Sequence, residues 1–321
     1  IAVSTDGTGT SWTYTDSDLP TAADSGKSYR LVVRARDKAQ NEQISFIVNT
    51  SSRVFLYDNT LPSAVINLPV NSTATASLAS ITGTATDPTA VGPSVSGVAV
   101  ITLKIIDLVD TTLGNGNDLY WNGAFITAHS SNVVSGSGTT SWSYGTLPAW
   151  VSSKMYAVAT FATDGAGNVQ VPSSTNTFTF DTSTPTTSVS LPAEGVGYAS
   201  GLTMISGVSA DQIVGAGVGK VEISIRLDEE PTGDTPGAED TWLDAPGGTF
   251  ISGNEVFFST GSGTFTNWTF TAPVWTSGKQ YIIRTRATDK AGVTVNVENP
   301  IPLLHFSVDT LGPTTTILQP A

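Results

Sequence analysis

A pattern of about 125 residues is written more than once in this chain, so the chain must fold as successive copies of one unit. Three runs carry it: Tyr29-Arg-Leu-Val-Val-Arg-Ala-Arg-Asp37-Lys-Ala-Gln-Asn41, Tyr156-Ala-Val-Ala-Thr-Phe-Ala-Thr-Asp164-Gly-Ala-Gly-Asn168 and Tyr281-Ile-Ile-Arg-Thr-Arg-Ala-Thr-Asp289-Lys-Ala-Gly-Val293. An aromatic pair precedes each Tyr: Trp12/Tyr14, Trp142/Tyr144 and Trp268/Phe270. A linker follows each run, opening on Asp58, Asp181 and Asp309 and closing on Pro62, Pro185 and Pro313. Two early strand-like segments recur, 81–87 with 205–211 and 98–105 with 218–225. Cutting at the linker Asp gives 1–58 as the C-terminal part of a unit, 59–181 and 182–309 as whole units, and 310–321 as the start of another. The fragment is expected to be a window on a longer array.

The units read as β-structure. Charged residues are 13% of the chain, about half the usual ~25%. Long amphipathic helices need charged helix formers, and the chain has only eight Glu and seven Lys. Short runs alternate instead, as in Val221-Glu222-Ile223-Ser224-Ile225 and Thr177-Phe178-Thr179-Phe180. About seven short strands per unit predict tandem immunoglobulin-like antiparallel β-sandwiches in an extended array. Each recurrent Tyr stands two residues before an apolar residue expected to point inward (Leu31, Val158, Ile283), the place of a tyrosine corner. With no cysteine, burial alone must hold each core. The long stretches 106–141 and 226–267 are expected to hold an inserted hairpin, because structureless loops of that length are uncommon.

Charge and composition exclude several functions. Fourteen basic against 27 acidic residues give a net charge of −13, the wrong sign for a phosphate backbone. The absence of cysteine removes thiol catalysis and Cys-based zinc sites, and two histidines, His129 and His305, are too few for a His-based metal site or triad. No apolar run is long enough for a membrane span. No motif supports catalysis, so the chain reads as not an enzyme.

Asp-x-Ala-Gly-Asn at a hairpin turn, followed by Phe-x-x-Asp-Thr-x-x-Pro-Thr at a linker, resembles the bacterial immunoglobulin-like (Big-type) repeats of giant surface proteins and adhesins. The resemblance spans nearly the whole chain. It implies an extracellular, cell-surface rod whose partners are neighbouring repeats of the same chain, with a host, cell-surface or glycan ligand met through other regions. It also implies calcium at domain junctions. The turn departs from the pattern at Val293, which stands where Asn41 and Asn168 stand, and at Gln40, which replaces the turn glycine.

The acids at each junction suit that cation. In such a sandwich the incoming linker lies beside two loops of the next unit, so Asp58 is expected to meet Asp87, Asp164 and Asn168, and Asp181 to meet Asp211 and Asp289. Calcium takes six to eight hard oxygens. The alternative is that these side chains serve turns, bonding nearby backbone. A second acidic set, Asp228, Glu229, Glu230, Asp234, Glu239, Asp240 and Asp244, reads as a solvated loop. Tyr120, Trp121 and Trp242 are candidates for a sugar-stacking platform, with hairpin packing as the alternative. The leading function is a non-catalytic stalk segment. The alternatives are a glycan- or protein-binding module, or a subunit of a self-assembling filament.

Overall fold

The computed structural model describes residues 4–5, 11–89, 92–127, 133–229, 235–261, 265–292 and 294–317. His129, Glu230, Asp234 and Val293 lie outside them. The described residues form strands joined by turns, with one 3-10 turn at Ala22–Asp24 and no α-helix.

The first segment holds β1 (Ser4–Thr5), β2 (Trp12–Thr13), β3 (Lys27–Val32) and β4 (Ser52–Tyr57), which pair as β1-β2 and β3-β4. Next come β5 (Ser63–Leu68), β6 (Thr73–Thr75), β7 (Ile81–Thr86), β8 (Val98–Leu108), β9 (Leu119–Trp121), β10 (Phe125–Thr127), β11 (Val134–Ser135), β12 (Ser141–Tyr144), β13 (Lys154–Asp164) and β14 (Ser174–Phe180). They make a three-stranded sheet, β12-β7-β5, facing a sheet of order β10-β9-β8-β13-β14-β6, with β11 also on β8. The same architecture follows with β15 (Thr186–Leu191), β16 (Val196–Tyr198), β17 (Met204–Ala210), β18 (Val218–Asp228), β19 (Thr241–Leu243), β20 (Phe250–Ser252), β21 (Phe258–Ser259), β22 (Asn267–Thr271), β23 (Lys279–Asp289) and β24 (Leu303–Val308). Its sheets are β15-β17-β22 and β16-β24-β23-β18-β19-β20, with β21 on β18. The chain is thus all-β, in tandem immunoglobulin-like sandwiches.

Each sandwich has its own core. One gathers Ile81, Leu103, Ile105, Trp142, Tyr156, Val158 and Phe178; the other gathers Ile205, Ile223, Ile225, Trp268, Tyr281, Ile283 and Phe306. Burying one such side chain contributes about 1.5–3 kcal/mol. In both, the chain leaves the small sheet at a cis proline (Leu68–Pro69, Leu191–Pro192) and re-pairs in parallel with the last strand of the large one. The corner tyrosines close on the backbone five residues upstream: Tyr156 Oη accepts from Val151 N at 3.0 Å, and Tyr281 Oη accepts from Thr276 N at 2.8 Å. Trp150 and Trp275, each six residues before its Tyr, meet these rings edge-on at 4.8 and 4.7 Å.

Val158 and Ile283 point inward, but Leu31 is 44% exposed. The expectation for Leu31 is corrected: it lines a surface pocket with Trp12 of the two-residue strand β2, which is too short to cover it. The hairpins β9-β10 and β19-β20 extend the large sheets, so their residues alternate between core and outer face.

Candidate metal centres

Strand ends position the acids. Asp58 follows β4 and Asp181 follows β14; Asp87 and Asp211 follow β7 and β17; Asp164 and Asp289 are the last residues of β13 and β23. A carboxylate oxygen from each of Asp58, Asp87 and Asp164 lies within 4.8 Å of the others, and Asp181, Asp211 and Asp289 repeat the arrangement. Both clusters therefore join a linker to two loops of the following sandwich, and four of the six acids are buried.

Main-chain N–H groups hold the carboxylates. Asp58 accepts from Thr60 N at 3.0 Å and Ser96 N at 2.7 Å; Asp87 accepts from Gly97 N at 2.8 Å; Asp164 accepts from Ala166 N at 2.9 Å and Asn168 N at 2.8 Å. In the second cluster, Ala216 N donates to Asp181 at 2.6 Å, Gly217 N to Asp211 at 2.8 Å and Asn296 N to Asp289 at 2.9 Å. No ion pair among the described residues reaches any of the six acids.

Three like charges in one place perturb one another. Burial raises the Asp87 carboxyl above its ordinary 3.8, and the charges of Asp58 and Asp164 add to that while Gly97 N–H opposes it. Asp211 is raised likewise, by burial first and then by Asp181 and Asp289, against the N–H groups of Gln212 and Gly217. Burial also opposes ionisation of Asp58, but the N–H groups of Ser96 and Thr60 outweigh it and hold that carboxyl below 3.8. Asp87 Oδ1 is buried with no hydrogen-bond partner among the described residues. Hard oxygens, unneutralised charge and an orphaned oxygen suit a divalent hard cation.

Asn168 braces the site. Its Nδ2 donates to the Asp58 main-chain carbonyl at 3.0 Å and to Asp164 Oδ2 at 2.7 Å. The second cluster has the same brace from a residue that the sequence alignment misses: Asn296 Nδ2 donates to the Asp181 carbonyl at 3.0 Å and to Asp289 Oδ2 at 2.6 Å. Val293 is therefore not the counterpart of Asn168; the third turn carries three extra residues before its Asn. The signal was legible two residues further on, where Gln43, Gln170 and Glu298 follow Asn41, Asn168 and Asn296. Gln40, at φ 70°, adopts the left-handed backbone that Gly167 and Gly292 supply in the other turns.

A serine four residues before each Tyr was also missed. Ser25 and Ser152 donate to Asp58 and Asp181 at 3.2 and 3.4 Å, and Ser277 to Asp309 at 3.2 Å. Neighbouring segments also touch directly at the junctions. Gly92 N donates to Ser25 O at 2.8 Å, Ala76 N donates to Ala291 O at 3.3 Å, and Ser153 bonds Gln212.

The aromatic candidates do not form one surface. Trp121 turns inward, 5.4 Å from the Phe125 ring, with Nε1 3.4 Å from Tyr144 Oη, whereas Tyr120 packs on the opposite face with Ile106, Leu108 and Met155. Trp242 lines a separate cavity in the other sandwich. The reading of the second acidic set as a solvated loop is corrected at Asp228 and Asp240, which are buried, while Glu229, Glu239 and Asp244 are exposed. Asp240 accepts from Glu229 N at 3.0 Å and Gly237 N at 2.7 Å, and the Arg226 guanidinium lies 3.5 Å away.

No family model matches the chain, and no curated protein matches it. Among solved structures it is similar to a tetra-tandem repeat in the extending region of a large adhesion protein, at 14% identity and a TM-score of 0.32, covering 94% of this chain and 61% of that one. A Ca2+-stabilised adhesin that helps an Antarctic bacterium reach out and bind ice aligns at 13% identity and 0.30, covering 88% and 57%. The FN1–FN3 domains of chicken CNTN1 align at 10% identity and 0.30, covering 88% and 77%. The chain thus spans less than two thirds of the length of the two adhesin structures.

Proposed function

We propose that this chain is a non-catalytic stalk segment of a large bacterial extracellular surface protein, stiffened by calcium at its junctions. Its units are 59–181 and 182–309, with 1–58 the end of a preceding unit and 310–321 the start of a following one. The observation that carries the reading is the recurrence of one three-carboxylate cluster where each linker enters the next sandwich. Asp58, Asp87 and Asp164 would hold one ion, and Asp181, Asp211 and Asp289 the other. Asn168 and Asn296 orient ligands. Each cluster brings three carboxylate oxygens together, and main-chain carbonyls or water would complete the six to eight oxygens that calcium takes. A cation there neutralises charge that otherwise pushes linker and loops apart, and it fastens covalently consecutive sandwiches at a second point. The motif resemblance supports placing such a rod at a cell surface.

Thermal unfolding with saturating calcium and with chelator tests this. At free calcium about 100-fold above Kd, binding adds about 2.7 kcal/mol per occupied site. Melting is expected to shift upward by several degrees with calcium and to be unresponsive in an Asp87→Asn/Asp211→Asn double variant. Identical melting of the unaltered chain with and without calcium would remove the metal from the proposal.

A further inference from the structure

The two joints carry the same three-carboxylate cluster, but the chain beside it differs. At the joint after Asp58, the loop that follows β7 lies against the turn that leads into β3. Gly92 N donates to Ser25 O at 2.8 Å and Ser94 N to Gly26 O at 3.4 Å, so main chains of neighbouring segments run side by side. Their approach leaves no room for side chains. A Cβ on Gly92 would stand 2.1 Å from both the carbonyl carbon and the oxygen of Gly26, and one on Gly26 would stand 2.8 Å from Ser94 O. Gly26 also serves a φ of 85°. The φ of Gly92 lies outside the left-handed region, so only the neighbouring segment requires a glycine there.

The joint after Asp181 is built otherwise. Ser153 takes the place of Gly26, at φ 64°, and meets Gln212 side chain to side chain. Among the described residues, a single main-chain bond runs between the two whole sandwiches, from Ala76 N to Ala291 O at 3.3 Å. Clefts separate their facing surfaces. One of about 250 Å3 lies between Met155, Thr177 and Thr179 on one side and Gly215 and Ala216 on the other. Another of about 360 Å3 lies between Leu68, Val70 and Leu78 and the turn residues Gly292 and Thr294. Packed interiors leave few voids larger than a water molecule, so these surfaces are not packed on one another.

We propose that the joint after Asp58 is a fixed elbow, locked by Gly26 and Gly92 without any cation, whereas the joint after Asp181 is a hinge when no cation is bound. The elbow's bonds join main-chain groups that each segment already holds in place, so they open only if loop and turn separate as a whole. The hinge relies on the exposed Gln212, and ordering that long side chain costs rotamer freedom that one exposed bond barely offsets. Both joints carry the acid cluster, so the clusters do not make this difference.

The chain has no cysteine, so introduced pairs of spin labels report one distance each. Val54→Cys/Ser143→Cys spans the first joint and Ser143→Cys/Thr269→Cys the second, and all three positions are exposed. Double electron–electron resonance on the full chain in chelator is expected to give a narrow distance distribution across the first joint and a broad one across the second. Gly92→Ala is expected to abolish the narrow peak at the first joint. A pair within one sandwich, Ile126→Cys/Ser143→Cys, should stay narrow in that variant and so report an intact fold. Equal widths at both joints in the unaltered chain, or a first-joint peak that Gly92→Ala leaves narrow, would overturn the proposal. Chelator is present throughout, so the result does not depend on the calcium reading. Calcium added afterwards bears on that reading alone, through whether it narrows the second distribution.

Discussion

At the scale of single residues, the junctions turn on two aspartates with raised pKa. A carboxyl whose folded pKa lies above its unfolded value binds its proton more tightly when folded. The contribution is stabilising at low pH and is lost as pH rises through the folded value. Asp87 and Asp211 are both raised above 3.8. Calcium-free protein is therefore expected to gain stability from these two groups as pH falls from neutral towards 3.8. Calcium, which needs both ionised, is expected to lose its stabilising effect over the same range. Chelated and calcium-loaded melting curves recorded between pH 7 and pH 4 should converge. An Asp87→Asn/Asp211→Asn chain should already melt higher than the unaltered chain in chelator at pH 7, since each substitution removes one of three mutually repelling charges. A gap between the curves that stays constant down to pH 4 would show that these carboxyls do not bind the metal.

At the scale of elements, each sandwich depends on features repeated in register. Gly207 on β17 lies under the Trp268 indole, where an added Cβ would overlap both that ring and the Ser188 carbonyl. Gly83 stands in the same relation to Trp142 and Val65. Backbone carbonyls do not yield as side chains do, so Gly207→Ala is expected to exceed the usual overpacking cost of about 1–3 kcal/mol. Tyr281→Phe leaves Thr276 N without its acceptor and is expected to cost about 1–3 kcal/mol. Both substitutions should lower one calorimetric transition and leave another in place, because the two cores share no residue. A single transition that shifts as a whole would contradict independent cores. A second device, the buried Gln170 and Glu298, ties the sheets within each sandwich. Gln170 Oε1 accepts from Ala64 N and Ala162 N at 2.8 and 3.2 Å, and Glu298 accepts from Thr187 N and Ala287 N at 2.7 and 2.9 Å. Both lie in the connection between the last two strands of the large sheet, and only the three-dimensional arrangement shows that they reach across.

At the scale of the whole molecule, the calcium proposal becomes a statement about stiffness. Consecutive sandwiches are linked by a short proline-bearing segment, a few junction hydrogen bonds and the acid cluster. Without a cation the cluster repels itself, and the junction is held by bonds such as Ala76 N to Ala291 O at 3.3 Å. Small-angle scattering is expected to show a narrower range of shapes and a sharper maximum dimension with calcium than with chelator. Indistinguishable scattering would mean that the clusters do not set the angle between units. The excess acid also differs along the array: the three segments ending at 58, 181 and 309 carry net charges of −1, −4 and −8. The last value includes the charges of Arg226, Asp228 and Asp240, which are buried, so it measures internal pairing as well as solvated surface.

The amino-acid order alone determined the repeat, the strand character and the turn positions of the junction acids. Each of these depends on neighbours close along the chain: alternation along one strand, or an Asp bonding the backbone of its own turn. What buries Asp228 and Asp240, whether Leu31 finds a facing sheet, and the opposite directions of Tyr120 and Trp121 were decided by tertiary packing. So was the recruitment of Asn296 across a longer turn to the place that Asn168 fills. In each case the deciding contact comes from chain far away in sequence, and a local pattern reports which face a side chain takes but not what that face meets.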